Sequence, residues 1–249
     1  ARLDEQIKTA KIAREVALEA AHQEAAAKAA ATAETLPLAS ADHPYLVTKG
    51  IKPHGAQMRG ADLLLPLRDI DGNITTQQTI SPTGDKRYAK GGAKQASFYL
   101  IGEVRKAIYI TEGFATGATI REAKGEAVVV AFDTGNLLPV ARAFRNKYLN
   151  ITIFVCADDD RWTDGNPGVT AANEVARQVS GVEVIIPTPS SLDSKPTDFN
   201  DMAAIDGLDA VRECLVRTKT DFAPITYAPD FDPAAIPGRA WIILGLLLR

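Results

Sequence analysis

Apolar and polar positions follow three different rhythms along this chain. From residue 3 to about 35, Ala, Glu and Lys dominate and neither Gly nor Pro occurs. Leu3, Ile7, Ile12, Val16 and Leu18 give a loose apolar stripe, after which the same face is mostly Ala. This predicts one long, partly exposed helix, with too few large apolar residues for a stable coiled-coil seam. Residues 36–44 break it. From Pro44 to Gly102 the pattern is that of a small β-rich or mixed segment. HPYLVTKG predicts a short helix ending at Gly50. LLLPLRDIDGNITTQQTI predicts a hairpin that turns at Asp71-Gly72-Asn73, with Ile74, Thr76, Gln78 and Ile80 alternating on the return arm. Pro82 and Gly84 mark a second turn, and Gly91-Gly92 a loop.

At Ala107 the rhythm changes again, to short apolar runs alternating with helical patterns. Strands are expected over 107–111, 126–132, 151–157 and 182–187. Helices are expected over 116–124 (with Gly125 as its C-cap), 137–148, 169–180 and 199–218. The run ending at Phe132 is nearly continuous Val, as in a strand buried on both faces. The expected fold class is therefore α/β, a parallel sheet flanked by helices. It is preceded by the small mixed subdomain and the long N-terminal helix. After Asp221 the chain is Pro-rich (Pro224, Pro229, Pro233, Pro237) and closes on the apolar WIILGLLLR. The resulting division is an N-terminal helical arm over 1–43, a small basic subdomain over 44–104, an α/β domain over 105–220, and a linker over 221–249. The linker is expected to lead towards a further C-terminal domain.

Composition narrows the class without naming a function. The 249 residues are 46% hydrophobic and 24% charged, with a mean hydropathy of -0.07. That is an ordinary globular balance. A net charge of -3 does not announce nucleic-acid binding, but a sum conceals a basic patch beside an acidic site. Cys156 and Cys214 form no CxxC pair, and His22, His43 and His54 complete no zinc pattern. Free thiols in a reducing, cytoplasmic compartment are expected. No apolar run approaches the roughly 20 residues a membrane span needs, so no membrane partner is expected.

The chemistry gathers where the apolar runs stop. Glu112 follows the first strand of the α/β region, Asp133 the second, and Asp158, Asp159 and Asp160 the third. Ligands of open α/β sheets bind at the carboxyl ends of the strands. Asp158 and Asp160, two apart, point to one side if the chain stays extended, and so are placed to share a cation. Crowded carboxylates repel unless a cation neutralises them, and magnesium, a hard ion held by carboxylates and phosphates, is the natural candidate. Acids after strands also cap helices or bind small ligands. Gly113 and Gly117 permit close approach beside Glu112. The loop Gly165-Asn166-Pro167-Gly168 reads either as a phosphate cradle at a helix N-terminus or as a simple turn with Pro in the first helical turn. Upstream, Lys86, Arg87, Lys90 and Lys94 surround Tyr88. Such a Gly-rich basic loop either follows a phosphate backbone or is a solvated hairpin tip.

The ordered set YITEGFATGATI, VVVAFDTGNL and IFVCADDD followed by GNPGVTAANEVA resembles the Toprim domain. The likeness is greatest to the Toprim primases of plasmids, phages and mobile elements, in which a primase part is often fused to a helicase. LPLRDIDGNITTQQTISPTGDKRYAKGG resembles the segment that precedes Toprim in that group, so the resemblance covers about residues 63–201. It implies a nucleotidyltransferase that makes short RNA primers on single-stranded DNA from nucleoside triphosphates. It implies Mg2+ or Mn2+, two ions, held by Glu112, Asp158 and Asp160, with Glu112 also in acid-base chemistry. Lys86, Arg87 and Lys94 are implied to hold template or nucleotide, with Lys90 and Gly113 beside them. Asp198 and Asp201 in TDFND match a recurrent acidic motif, with helix capping as the simpler role for Asp198. A replicative helicase fused C-terminally is the implied partner. No zinc module of the kind many primases carry is present, and no GxxxxGK[ST] loop, so P-loop ATP hydrolysis is not expected. A Toprim nuclease, or a non-catalytic module binding DNA or a helicase, are the alternatives.

Overall fold

The structure is a computed structural model. It describes residues 2–216 together with the strand residues 242–243 and 246–247. Two units are distinguished, residues 1–218 and 219–249. The first begins with α1 (Arg2–Thr35) and α2 (Pro44–Lys49), followed by β1 (Gln57–Arg59), β2 (Asp62–Arg68), β3 (Ile74–Ile80), β4 (Lys86–Tyr88) and β5 (Tyr99–Ile101). It continues as β6 (Ala107–Thr111), α3 (Phe114–Lys124), β7 (Ala127–Val130), α4 (Thr134–Lys147), β8 (Thr152–Cys156), α5 (Pro167–Gln178), β9 (Val182–Ile185) and α6 (Phe199–Cys214). The second unit contains a short antiparallel pair, β10 (Ile242–Ile243) with β11 (Leu246–Leu247). The rest of the linker expected over 221–249 lies outside the described residues.

The expected hairpin is present. β2 and β3 pair antiparallel, and Asp69 closes the turn by accepting from the backbone N–H groups of Asp71 and Asn73, each at 2.9 Å. β1 and β4 flank the pair, giving a four-stranded antiparallel sheet ordered β1-β2-β3-β4. The C-terminal half of α1 packs on β3, burying Ala25 and Ala29. Ile7, Ile12, Val16 and Leu18, in the N-terminal half, stay exposed. The short helix α2 ends as predicted at Gly50, whose φ of 64° only a residue without Cβ adopts freely.

The four parallel strands expected from the pattern form a sheet, and a fifth joins it. The order is β5-β7-β6-β8-β9, with β5 antiparallel along β7. β5 lies before the division expected at 104/105, so the large sheet draws one edge strand from upstream of it. Helices cover both faces. Phe114, Ala118, Phe199 and Met202 of α3 and α6 pack on one side, in a core shared with Leu63, Leu65 and Ile80 of the small sheet. Leu137, Val140, Phe144, Ala172 and Val175 of α4 and α5 pack on the other. The chain leaves β6 for β7 on one side and then crosses back to β8 on the other. The carboxyl ends of β6 and β8 therefore flank the switch point of the sheet.

Buried Asn136, in the first turn of α4, ties the loop before β5 to the end of β7. Its Oδ1 accepts from the Ala96 N–H at 2.7 Å, and its amide donates to the Ser97 and Ala131 carbonyls, each at 2.8 Å. Ala96 has a φ of 58°, a conformation these bonds hold in place. Replacing Asn136 by Ala strands two buried carbonyls and one half-buried N–H. The variant is expected to lose about 2–3 kcal/mol of stability in denaturant unfolding, and a loss under about 0.5 kcal/mol would contradict this role.

Candidate active site

Glu112 stands one residue past β6, and its backbone carbonyl accepts from the Phe132 N–H at 2.8 Å. Gly113 follows as the N-cap of α3 in an extended conformation (φ -97°, ψ 152°). Gly117, one turn on, brings α3 down onto the sheet: a Cβ there would sit 2.8 Å from Val130 Cγ2 and 3.0 Å from Thr111 Oγ1. Its need is packing against the strands. Burial lifts the Glu112 carboxyl above its ordinary range. Asp160 and Asp133 add to the effect and Lys86 opposes it.

The three aspartates after β8 have separate fates. Asp159 points inward and is only 5% exposed. Arg161 donates to its Oδ2 through Nε at 2.8 Å and through Nη2, while Asn166 Nδ2 donates to Oδ1 at 2.8 Å. Burial works against its charge, but these bonds outweigh it and the carboxyl is held below its usual range. The Asp159 N–H donates to the Thr197 carbonyl at 2.6 Å, which fixes the backbone as well. Asp158 and Asp160, on either side of this anchor, turn towards Glu112. Asp160 Oδ2 accepts from the Gly168 N–H at 3.1 Å. Any Cβ at Gly168 would overlap the Asp158 carbonyl, so this glycine lets α5 close onto the aspartates. The helix N-terminus considered as a phosphate cradle thus has its Gly168 amide engaged by Asp160.

Asp158 is the most perturbed of the set. Burial, then the carboxylates of Asp198, Glu112 and Asp160, push it up to about 8, with Lys86 opposing. Its Oδ1 is buried and has no hydrogen-bond partner among the described residues. Asp198 is the N-cap of α6: Oδ1 accepts from the Asp201 N–H at 2.8 Å, and Oδ2 from Thr116 Oγ1 at 3.0 Å. Asp201 Oδ2 returns the bond by accepting from the Thr197 N–H at 3.0 Å. The pair closes the start of α6 in the manner of a capping box. The simpler role of Asp198 is therefore real, and its charge still bears on Asp158. Asp133 pairs with Lys94 at 3.7 Å.

The basic segment divides in the same way. Strand alternation puts Lys86 and Tyr88 on one face of β4 and Arg87 on the other. Lys86 acts on Glu112 and Asp158. The Tyr88 hydroxyl donates to the Phe132 carbonyl at 3.5 Å, and Lys94 Nζ stands 4.5 Å from the Tyr88 ring centroid. Burial first, then Asp133 and Glu112, raise the Tyr88 hydroxyl to about 12. Lys90 lies apart, lining a groove with Lys28 and Ala29 of α1. Lys86 and Lys94 are thus brought to the acids, and Arg87 and Lys90 are not. Tyr88 and Asn166 were named only as parts of the basic loop and of the Gly165–Gly168 loop, and Arg161 and Thr116 take part without having been singled out. Arg161 carried a signal, as a cation next to three consecutive acids.

The profile of the Toprim domain family matches residues 107–209. Over that stretch, less than half of its length, the chain is similar to the Toprim domain. The chain is also similar to two curated relatives, both DNA primase TraC of Escherichia coli. One is 37% identical over 172 residues, covering 64% of this chain and 16% of that protein. The other is 38% identical over 150 residues, covering 55% and 10%. The chain therefore spans a sixth or less of the length of these relatives. Among solved structures, the primase fragment of the bacteriophage T7 primase-helicase protein superposes with a TM-score of 0.53 at 18% identity, covering 68% of this chain and 72% of that one. A T7 primase domain bound to an RNA/DNA hybrid and dTTP gives 0.53 at 18%, covering 70% and 90%. At that identity the likeness is one of fold.

Among the described residues no three His, Cys, Asp or Glu side chains are already closed around one point as a metal site. The chemistry of the Toprim acids nevertheless fits a cation. Asp158 has a buried oxygen without a partner, and it shares the pocket with carboxylates that raise its proton affinity. Either a proton or a metal ion relieves that repulsion. Below the ordinary carboxyl range, near pH 4, folded and unfolded chains both hold the Asp158 proton. Between there and about pH 8 only the folded chain keeps it. Stability contributed by this group is therefore lost as pH rises through that window, and levels off above it. In EDTA, wild type is expected to lose on the order of 2 kcal/mol more than Asp158→Asn between pH 5 and pH 8 in denaturant unfolding. Parallel curves would refute the perturbed carboxyl.

Proposed function

We propose that this chain is the core of a DNA primase, a nucleotidyltransferase that joins nucleoside triphosphates into short RNA primers on single-stranded DNA. The observation that carries the reading is the buried, unpartnered Asp158 carboxylate beside Glu112 and Asp160, at the switch point of a Toprim sheet and facing Lys86. The name DNA primase borne by both curated relatives supports it. Glu112, Asp158 and Asp160 would hold Mg2+ or Mn2+, in a pair of ions. Bound there, such ions promote in-line transfer by activating the attacking hydroxyl and stabilising the leaving group.

The chain's own residues supply the rest. Asp159, locked to Arg161 and Asn166, sets the direction of its two neighbours. Gly113 leaves room for a phosphate to approach Glu112. Lys86 offsets the acids and meets the phosphates of template or nucleotide. Lys94, paired with Asp133 over Tyr88, extends that positive edge. Asp158 must give up its proton to bind a cation, so activity rises with pH towards about 8. Single-stranded DNA and nucleoside triphosphates are the partners of this reading, and a fused helicase is its expected neighbour in the longer protein.

The test is synthesis. The chain, mixed-sequence single-stranded DNA, labelled nucleoside triphosphates and Mg2+ or Mn2+ are expected to yield short products. Glu112→Gln and Asp160→Asn should each lower the yield by at least about 100-fold, since these side chains would be direct ligands. Products unaffected by either substitution would move the site elsewhere. Shortening of the DNA in place of new products would assign the acids to cleavage.

A further inference from the structure

We infer that Trp162 and Lys195 form a subsite for one nucleotide of a single strand, the indole stacking on its base and the ammonium meeting its phosphate. The inference rests on the reading of this Toprim domain as a primase core.

Trp162 lies two residues past Asp160, in the connection from β8 to α5, at the carboxyl edge of the sheet where the acids gather. It is 47% exposed. An indole offers a large apolar surface, so leaving half of it in water beside a polar site requires a reason. Its orientation is set. The ring N–H donates to the Pro196 carbonyl at 3.5 Å, and the loop carrying Pro196 is tied to the aspartates by the bond from Asp159 N–H to the Thr197 carbonyl at 2.6 Å. The indole is thus positioned by the same backbone that positions Asp158 and Asp160.

Lys195 completes the arrangement. Its Nζ is 6.0 Å from the Trp162 ring centroid. Its backbone takes the left-handed conformation, φ 54°, and its N–H donates to the Leu192 carbonyl at 3.0 Å, so a turn presents this side chain beside the ring. Lys195 is exposed, and among the described residues it has no ion-pair partner. An exposed aromatic with a free cation alongside is the pairing that single-strand grooves use. The ring accepts any base, and the cation follows the backbone. Lys86 and Lys94 belong to the upstream segment, whereas this pair comes from the loops after β8 and β9. It would guide the strand on a different side of the acids.

The chain contains two tryptophans, Trp162 and Trp241. In a Trp241→Phe background the remaining emission reports on Trp162. Two fluorescently end-labelled strands of equal length are compared by anisotropy, one of thymidine nucleotides and one of abasic residues. The thymidine strand is expected to quench Trp162 emission and the abasic strand is not. Trp162→Leu should weaken thymidine-strand binding about tenfold and leave abasic binding unchanged, with partial recovery in Trp162→Phe. Lys195→Gln should weaken both strands and reduce the salt slope by about 0.7. Unchanged melting temperatures confirm that the variants are folded. Strong binding with unquenched emission, or equal losses on both strands for Trp162→Leu, would overturn the stacking role while leaving the primase reading in place. Failure of wild type to bind either strand would overturn that reading and the subsite with it.

Discussion

Like charges gathered at one sheet edge are the constraint on which this structure turns. Glu112, Asp158, Asp160 and Asp198 come from three separate segments; Asp160 makes Glu112 harder to ionise, and Asp198, Glu112 and Asp160 together do the same to Asp158. Such a cluster opposes folding unless something else holds it. Two of its members are given backbone or hydroxyl donors: Asp160 by the Gly168 N–H, and Asp198 by Thr116 and the start of α6. Asp158 is left with a buried oxygen that no group among the described residues satisfies. The residual repulsion is therefore concentrated on one carboxyl, at the point where β6 and β8 diverge. Strain of this kind, maintained by surrounding structure, is what a ligand site requires.

Close packing makes that maintenance possible. Gly117 lets α3, which begins two residues after Glu112, approach β6 and β7 closely. Gly168 does the same for α5 against the Asp158 backbone. Asp159 adds an internal rivet: the one aspartate that is fully paired is also the one that faces inward. A run of three identical residues thus divides, with the middle side chain stabilising the loop and the outer two set among the other acids.

The upstream sheet is part of the same machinery. Its strands share a core with α3 and α6, and its edge strand β4 sets Lys86 and Tyr88 against the acids. With it, the acids have a lysine opposite them, Lys86, whose charge works against their mutual repulsion.

The α/β class, the four parallel strands, the hairpin at Asp71-Gly72-Asn73 and the acids at strand tips were all legible in the chain, because each depends on local period or on residues adjacent in sequence. The Toprim resemblance was legible for the same reason, being an ordered set of short motifs. Other features depend on distant segments meeting. The placing of β5 beside β7 is a long-range pairing with no signal in three residues of strand. That Asp159 is a structural anchor follows from Arg161, Asn166 and Thr197 converging on it. That Lys86 faces the acids while Arg87 does not is decided by how β4 is docked, since a shift of one residue would exchange them. Local pattern determined which elements form and where charge accumulates. Only the packing of those elements decided which charges face one another, because burial and mutual distance, and not residue type, set the energy of a carboxylate.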